Sequence, residues 1–295
     1  MTHQNEKRFF CIRGHMKSGT NWICRLLNLH PDIHCLGEFH WHNYFEAYEK
    51  NRRTFVFLDR VEEQQGTVRR GLENFVRQSM VSMARPDARL IGDRTPHTIH
   101  PVVMRDAPHI SVVRDIRDIV VSKMFHYYNA PRIFGFFEKN PEMVSLKEKF
   151  KADPWYFQKH PYRLLCHEFF VRHTCRKWIH FLKADRNTAR NRPGLPVHFV
   201  QYESVHGSIR EELDAMFVFL GVDPAMSENI PANLMPGHKS EKPDKFNRKG
   251  AVGDWRNYMT PEAKKWINEE AGPEMIRQGY IESFDWTIDT REKAA

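Results

Sequence analysis

Two hydrophobic periods alternate along the chain. Short apolar runs at residues 8–13, 89–92, 109–113 and 197–201 are too brief for helices, and each predicts a strand. Elsewhere the spacing is helical. Trp22, Ile23, Leu26 and Leu27 mark one amphipathic segment, stopped near Pro31, and Ile116, Ile119, Val120 and Met124 mark the buried stripe of another. Residues 210–220 and 261–272 read as later amphipathic helices, the second opened by Thr260 as N-cap and Pro261 at the first helical position. Strands alternating with helices predict a parallel sheet covered on both faces.

The turn after the first strand changes the picture from fold to chemistry. It reads Gly14-His-Met-Lys17-Ser18-Gly19-Thr20-Asn21-Trp22 and feeds directly into the first helix. A strand–turn–helix unit of this kind aims backbone N–H groups and the positive end of a helix dipole at one spot, which suits a phosphate. Gly14 and Gly19 have the spacing of a nucleoside-triphosphatase loop, G-x-x-x-x-G-K-S/T. Thr20 and Asn21, however, stand where its lysine and magnesium-binding hydroxyl belong, and the lysine has moved forward to position 17.

Two further segments supply anion-binding residues. Arg114 follows the third run, at the end of a predicted strand where ligands of open α/β sheets bind, and Ser122 lies eight residues on. Near the C-terminus, Arg248, Lys249 and Gly250 open a glycine-bearing stretch that continues to Thr260.

These segments together resemble the sulfotransferase family, which uses 3′-phosphoadenosine 5′-phosphosulfate (PAPS). The first is similar to the family's 5′-phosphosulfate loop, K-S-G-T-x-W. The Arg114/Ser122 pair resembles its 3′-phosphate motif. Residues 248–260 match R-K-G-x-x-G-D-W-x-N-x-x-T at every fixed position, and Val-His-Phe-Val-Gln-Tyr202-Glu resembles the late strand whose tyrosine contacts adenosine. The resemblance implies an α/β, P-loop-like three-layer sandwich with a central four- to five-stranded parallel sheet. It implies PAPS as co-substrate, bound by Lys17, Ser18, Gly19, Thr20, Asn21, Trp22, Arg114, Ser122, Tyr202, Arg248, Lys249 and Gly250. Lys17 would serve the bridging oxygen of the departing phosphate, and Trp22 either stacks on adenine or packs in the core. A P-loop nucleotide phosphotransferase and a non-catalytic phosphoadenosine-nucleotide binder are the alternative classes.

Three groups compete for the catalytic base. Cytosolic small-molecule members carry a histidine in K-T-H; here Pro96 replaces that histidine and Arg94 the lysine, with His97 beside them. Branches that use a glutamate resemble this chain at His30-Pro-Asp-Ile-His-Cys-Leu-Gly-Glu38, which makes Glu38 the preferred base. An apolar pocket would raise a carboxylate's pKa toward neutrality and suit it to that task. Asp93 is the third option, unless it only pairs with Arg94. His30, His34, His40 and His42 do not form a metal motif, since Pro31 breaks the helix between His30 and His34, and no metal is expected.

Composition narrows the remainder. The chain has 295 residues, no linker, repeat or low-complexity tract, and motifs from end to end, so one domain is expected, with loose termini at 1–7 and 287–295. The net charge of +8 could mark a nucleic-acid binder, but its named clusters fall inside the donor motifs. A positive field would steer a nucleotide bearing roughly four negative charges. No apolar run reaches the ~18–20 residues of a membrane span, and no signal-peptide core follows Met1. Five cysteines, an odd number at unrelated spacings, fit reduced thiols and a cytoplasmic location. Aromatic residues crowd 39–48, 125–137 and 155–157, as core or as an acceptor pocket. The expected acceptor is a small or medium hydroxyl- or amine-bearing molecule, lipid-like, aromatic or sugar; a homodimer is admitted.

Overall fold

A computed structural model describes residues 7–52, 61–100, 103–130, 140–224, 229–238, 240–245 and 248–288. Most of both expected loose termini, and Phe134, Phe136 and Phe137 of the aromatic run, lie outside these residues. The elements in order are β1 (Arg8–Gly14), α1 (Thr20–Leu27), β2 (Ile33–Leu36), α2 (His42–Arg52), α3 (Val61–Met83), β3 (Leu90–Arg94), β4 (His109–Val113), α4 (Ile116–Asn129), α5 (Pro141–Ala152), α6 (Tyr156–Lys159), α7 (Glu168–Asn191), β5 (Val197–Gln201), α8 (Tyr202–Gly207), α9 (Ile209–Leu220) and α10 (Pro261–Arg277). The described residues group into two compact units: 7–15, 19–113 and 181–234 form the first, and 16–18, 114–180 and 235–288 the second.

The first unit carries the sheet. Its five strands run in the order β2-β3-β1-β4-β5, every pair parallel. Alternate residues of β1 face opposite sides, as strand geometry requires. Phe10 and Ile12 pack with Ile23, Leu26 and Leu27 of α1 and with Leu213, Met216 and Phe217 of α9. Phe9 and Cys11 pack with Trp41, Phe45 of α2, and Val76 and Met80 of α3. A sheet with an apolar layer on each face is the α/β sandwich that the alternating periods predict. Four strands were expected from the sequence runs; the fifth, β2, is a short edge strand in which Ile33 and Cys35 are buried and His34 and Leu36 half-buried.

The second unit is built on α4, whose Ile116, Ile119, Val120 and Met124 are all buried, together with Phe125, Tyr127 and Tyr128. Phe125, Tyr128, Phe150 and Phe157 pack ring against ring, with centroids 4.6–6.0 Å apart. These aromatics are therefore core, while Trp155 remains 46% exposed. Thr260 caps α10 through its hydroxyl, which accepts the Ala263 N–H at 3.2 Å, and Pro261 opens the helix.

Candidate functional site

In the first unit, β1 ends at Gly14 and α1 begins at Thr20, after its N-cap Gly19, which holds φ +97°. The glycine is required twice over. Its backbone lies in the left-handed region, and a Cβ there would meet Tyr202 Cδ2 at 2.3 Å. Tyr202, at the start of α8, thus closes directly over the turn. Its ring also meets Trp22 edge to face at 5.3 Å, and the Trp22 indole N–H donates to Leu234 O at 2.8 Å. Among the described residues no side chain caps α1, and Gly19 O accepts the amides of Trp22 and Ile23. The first amides of the helix are left facing the turn. Thr20 is buried and Asn21 half-buried beside them.

The same unit holds the three candidate bases. Glu38 stands in a different setting from the apolar pocket expected. It is exposed, accepts from Arg94 Nη1 at 2.6 Å, and lies 3.6 Å from His40 Nε2. Asp93 pairs with Arg13 at 2.8 Å, both buried, and accepts the Thr95 hydroxyl at 3.0 Å; its expected partner Arg94 points to the other side of β3. His97 is half-buried, with Nδ1 3.1 Å from Thr98 O, and burial holds its imidazole below the ordinary pKa. Asp185, buried on α7, accepts from Ile99 N and the Ser111 hydroxyl, both at 2.7 Å, and so ties the 95–100 segment to β4.

In the second unit, Lys17 takes φ +73°, a strained conformation for a residue with a Cβ. Arg114 fixes this turn: Nη1 donates to Lys17 O at 3.1 Å and Nη2 to Ala251 O at 2.9 Å. The Ser18 hydroxyl is fully buried and meets no hydrogen-bond partner among the described residues. Such an orphaned group costs about 1–3 kcal/mol, unless a ligand satisfies it. Ser122 sits half-buried two turns into α4.

The 248–255 stretch is seated on α4 by Asp118, a residue that the sequence reading did not single out. Its two carboxylate oxygens accept the amides of Gly253 at 2.7 Å and Trp255 at 3.0 Å. Burial raises the pKa of Asp118. Two more carboxylates act here: Glu241, which the sequence reading did not single out, and Asp254, which it gave only as a motif position. Arg248 is held by Glu241 and Asp254, and stacks over the Phe125 ring at 4.3 Å. Lys249 donates to Asp254 at 2.9 Å. Gly250 is exposed at φ +69°. Lys17, Arg114, Arg248 and Lys249 are therefore brought into one unit, whereas Thr20, Asn21, Trp22, Tyr202 and Glu38 belong to the other.

One turn therefore brings together the buried Ser18 hydroxyl, which has no hydrogen-bond partner among the described residues, the strained Lys17, and the Arg114 guanidinium that donates to Lys17 O and Ala251 O. Residues 8–279, spanning both units, match the sulfotransferase domain family. The chain therefore belongs to the sulfotransferase family, enzymes that transfer a sulfuryl group from PAPS. It is 25% identical to the amine sulfotransferase of Oryctolagus cuniculus over 92% of this chain and 82% of that protein. Its fold is similar to that of the mouse sulfotransferase SULT7A1 complexed with PAP, at TM-score 0.50 and 18% identity, covering 92% of this chain and 85% of that one. Among the described residues, no helix is long and apolar enough to cross a membrane.

Proposed function

We propose that this chain sulfates a hydroxyl or amine of a small or medium-sized acceptor, with the donor nucleotide held by the residues named above. The donor brings an activated sulfuryl group and a phosphate that departs with added negative charge. In the second unit, Lys17 is assigned to meet that charge with its ammonium, an interaction worth most as the bond breaks. The Ser18 hydroxyl gains the partner it lacks by donating to the 5′-phosphate. Arg114, Ser122, Arg248, Lys249 and Gly250 take the 3′-phosphate, Arg248 and Lys249 by exchanging part of their carboxylate contacts for it. In the first unit, Gly19, Thr20 and Asn21 present backbone amides and the Thr20 hydroxyl, while Trp22 and Tyr202 offer rings to the adenosine. The orphaned Ser18 hydroxyl supports this reading most strongly.

Glu38 is assigned the acceptor's proton. Arg94 orients one of its oxygens, and the side chain remains open to solvent on the other. The resemblance to the amine sulfotransferase supports amines beside alcohols as acceptors. His97 is the second reading for the base, favoured by a lowered pKa that leaves its imidazole neutral and able to accept near pH 7.

The test is transfer of labelled sulfate from PAPS to a panel of amines, phenols and alicyclic alcohols. Lys17→Ala is expected to lower kcat about 10²–10³-fold while changing nucleotide affinity far less. Glu38→Gln is expected to cost about 10²–10⁴-fold. Loss with His97→Ala while Glu38→Gln stays active moves the base to His97. Wild-type turnover in Lys17→Ala contradicts the role of the lysine.

A further inference from the structure

We propose that His42, Glu46 and His97 of the first unit bind one divalent transition-metal ion of the zinc class, with water completing its coordination. His42 opens α2, and Glu46 lies one turn further on the same helix, the i,i+4 spacing that puts two side chains on one face. His97 comes from the turn after β3. The potential ligand atoms of all three lie within 4.8 Å of one another, and the His42 and His97 rings stack with centroids 3.9 Å apart. A zinc ion ~2.0–2.1 Å from each donor needs them ~3.3 Å apart, so binding requires the two rings to rotate out of their stack, each turning one nitrogen toward the ion.

The chemistry of the donors fits. Two imidazoles and a carboxylate make a three-ligand set with an open position, which suits zinc and its neighbours better than magnesium or calcium. His97 Nδ1 lies 3.1 Å from Thr98 O, an arrangement in which the ring donates to the backbone and turns Nε2 outward as a ligand. Arg13, which lines the same pocket, has its charge met by Asp93. The ion would tie α2 to the segment after β3.

The experiment is calorimetric titration of the chelator-stripped full chain with Zn²⁺, repeated with Co²⁺ read by visible absorption. One ion per chain with micromolar or tighter affinity is expected. His42→Ala should weaken it about 100-fold and Glu46→Gln at least about tenfold, while His160→Ala, in the second unit, leaves it unchanged. Glu46 is exposed, so Glu46→Gln keeps the fold, as circular dichroism will verify. Absence of saturable binding, or equal affinity in Glu46→Gln and the wild type, overturns the proposal. Donor-nucleotide binding, measured in parallel, reports separately on the sulfotransferase site.

Discussion

Replacing Gly19 by alanine attacks the turn where the fold and the chemistry meet. Two costs can be read from its surroundings. The φ of +97° places a Cβ against the following carbonyl, which costs about 1–2 kcal/mol. The new methyl also lands 2.3 Å and 2.5 Å from Tyr202 Cδ2 and Cε2, and relieving such overpacking costs about 1–3 kcal/mol. The expected loss is therefore about 2–5 kcal/mol, a large share of a typical domain's stability. Urea unfolding measures it as a fall in midpoint at unchanged m value. The two costs separate in a Tyr202→Ala background, where the clash disappears and only the dihedral cost of about 1–2 kcal/mol persists. A Gly19→Ala midpoint equivalent to less than about 0.5 kcal/mol, or an equal loss in both backgrounds, would refute the claim that Tyr202 closes over this turn.

Other contacts give further expectations. Glu241→Gln removes a carboxylate that competes for Arg248 and Lys249, so 3′-phosphoadenosine 5′-phosphate (PAP) should bind about fivefold more tightly, about 1 kcal/mol by calorimetry; weaker binding would mean that Glu241 orients the arginine productively. His109 is fully buried and pushed down to about 3 by desolvation, against 6.5 when unfolded. Between these values the folded state binds fewer protons, so stability is present above pH 6.5 and is lost as pH falls, by about 1.4 kcal/mol at pH 5.5 from this residue alone. Thermal melting of His109→Gln should depend less on pH across 7.0–5.5 than that of wild type, and parallel profiles would contradict the assignment.

What the sequence disclosed follows the range of the interactions involved. The runs that became β1, β3, β4 and β5 were legible because each is apolar and bounded by turn residues, and α4 because its stripe is regular. β2 was not, since four residues at a sheet edge carry only Ile33 and Cys35 as buried positions. Thr260-Pro261 was legible as a helix start because capping is a local signal. Pairings across space left no such trace. Asp93 sits next to Arg94 in sequence but meets Arg13 across the parallel β1–β3 pair. Glu241 and Asp254 are near neighbours of Arg248, yet nothing in their spacing says that they close on it. The His42–Glu46–His97 group joins two distant segments, so a search for ligand spacing among His30, His34, His40 and His42 could not find it. The strain at Lys17 and the unpartnered Ser18 hydroxyl are likewise properties of the folded turn.

The central claim is that Arg114, Ser122, Arg248 and Lys249 select a 3′-phosphorylated nucleotide. Calorimetric titration of the intact chain with PAP and with 5′-AMP tests it most directly, since the two ligands differ only in the 3′-phosphate. The account predicts micromolar or tighter binding of PAP, and 5′-AMP weaker by at least tenfold, about 1.4 kcal/mol. Equal affinity for the two nucleotides would contradict it.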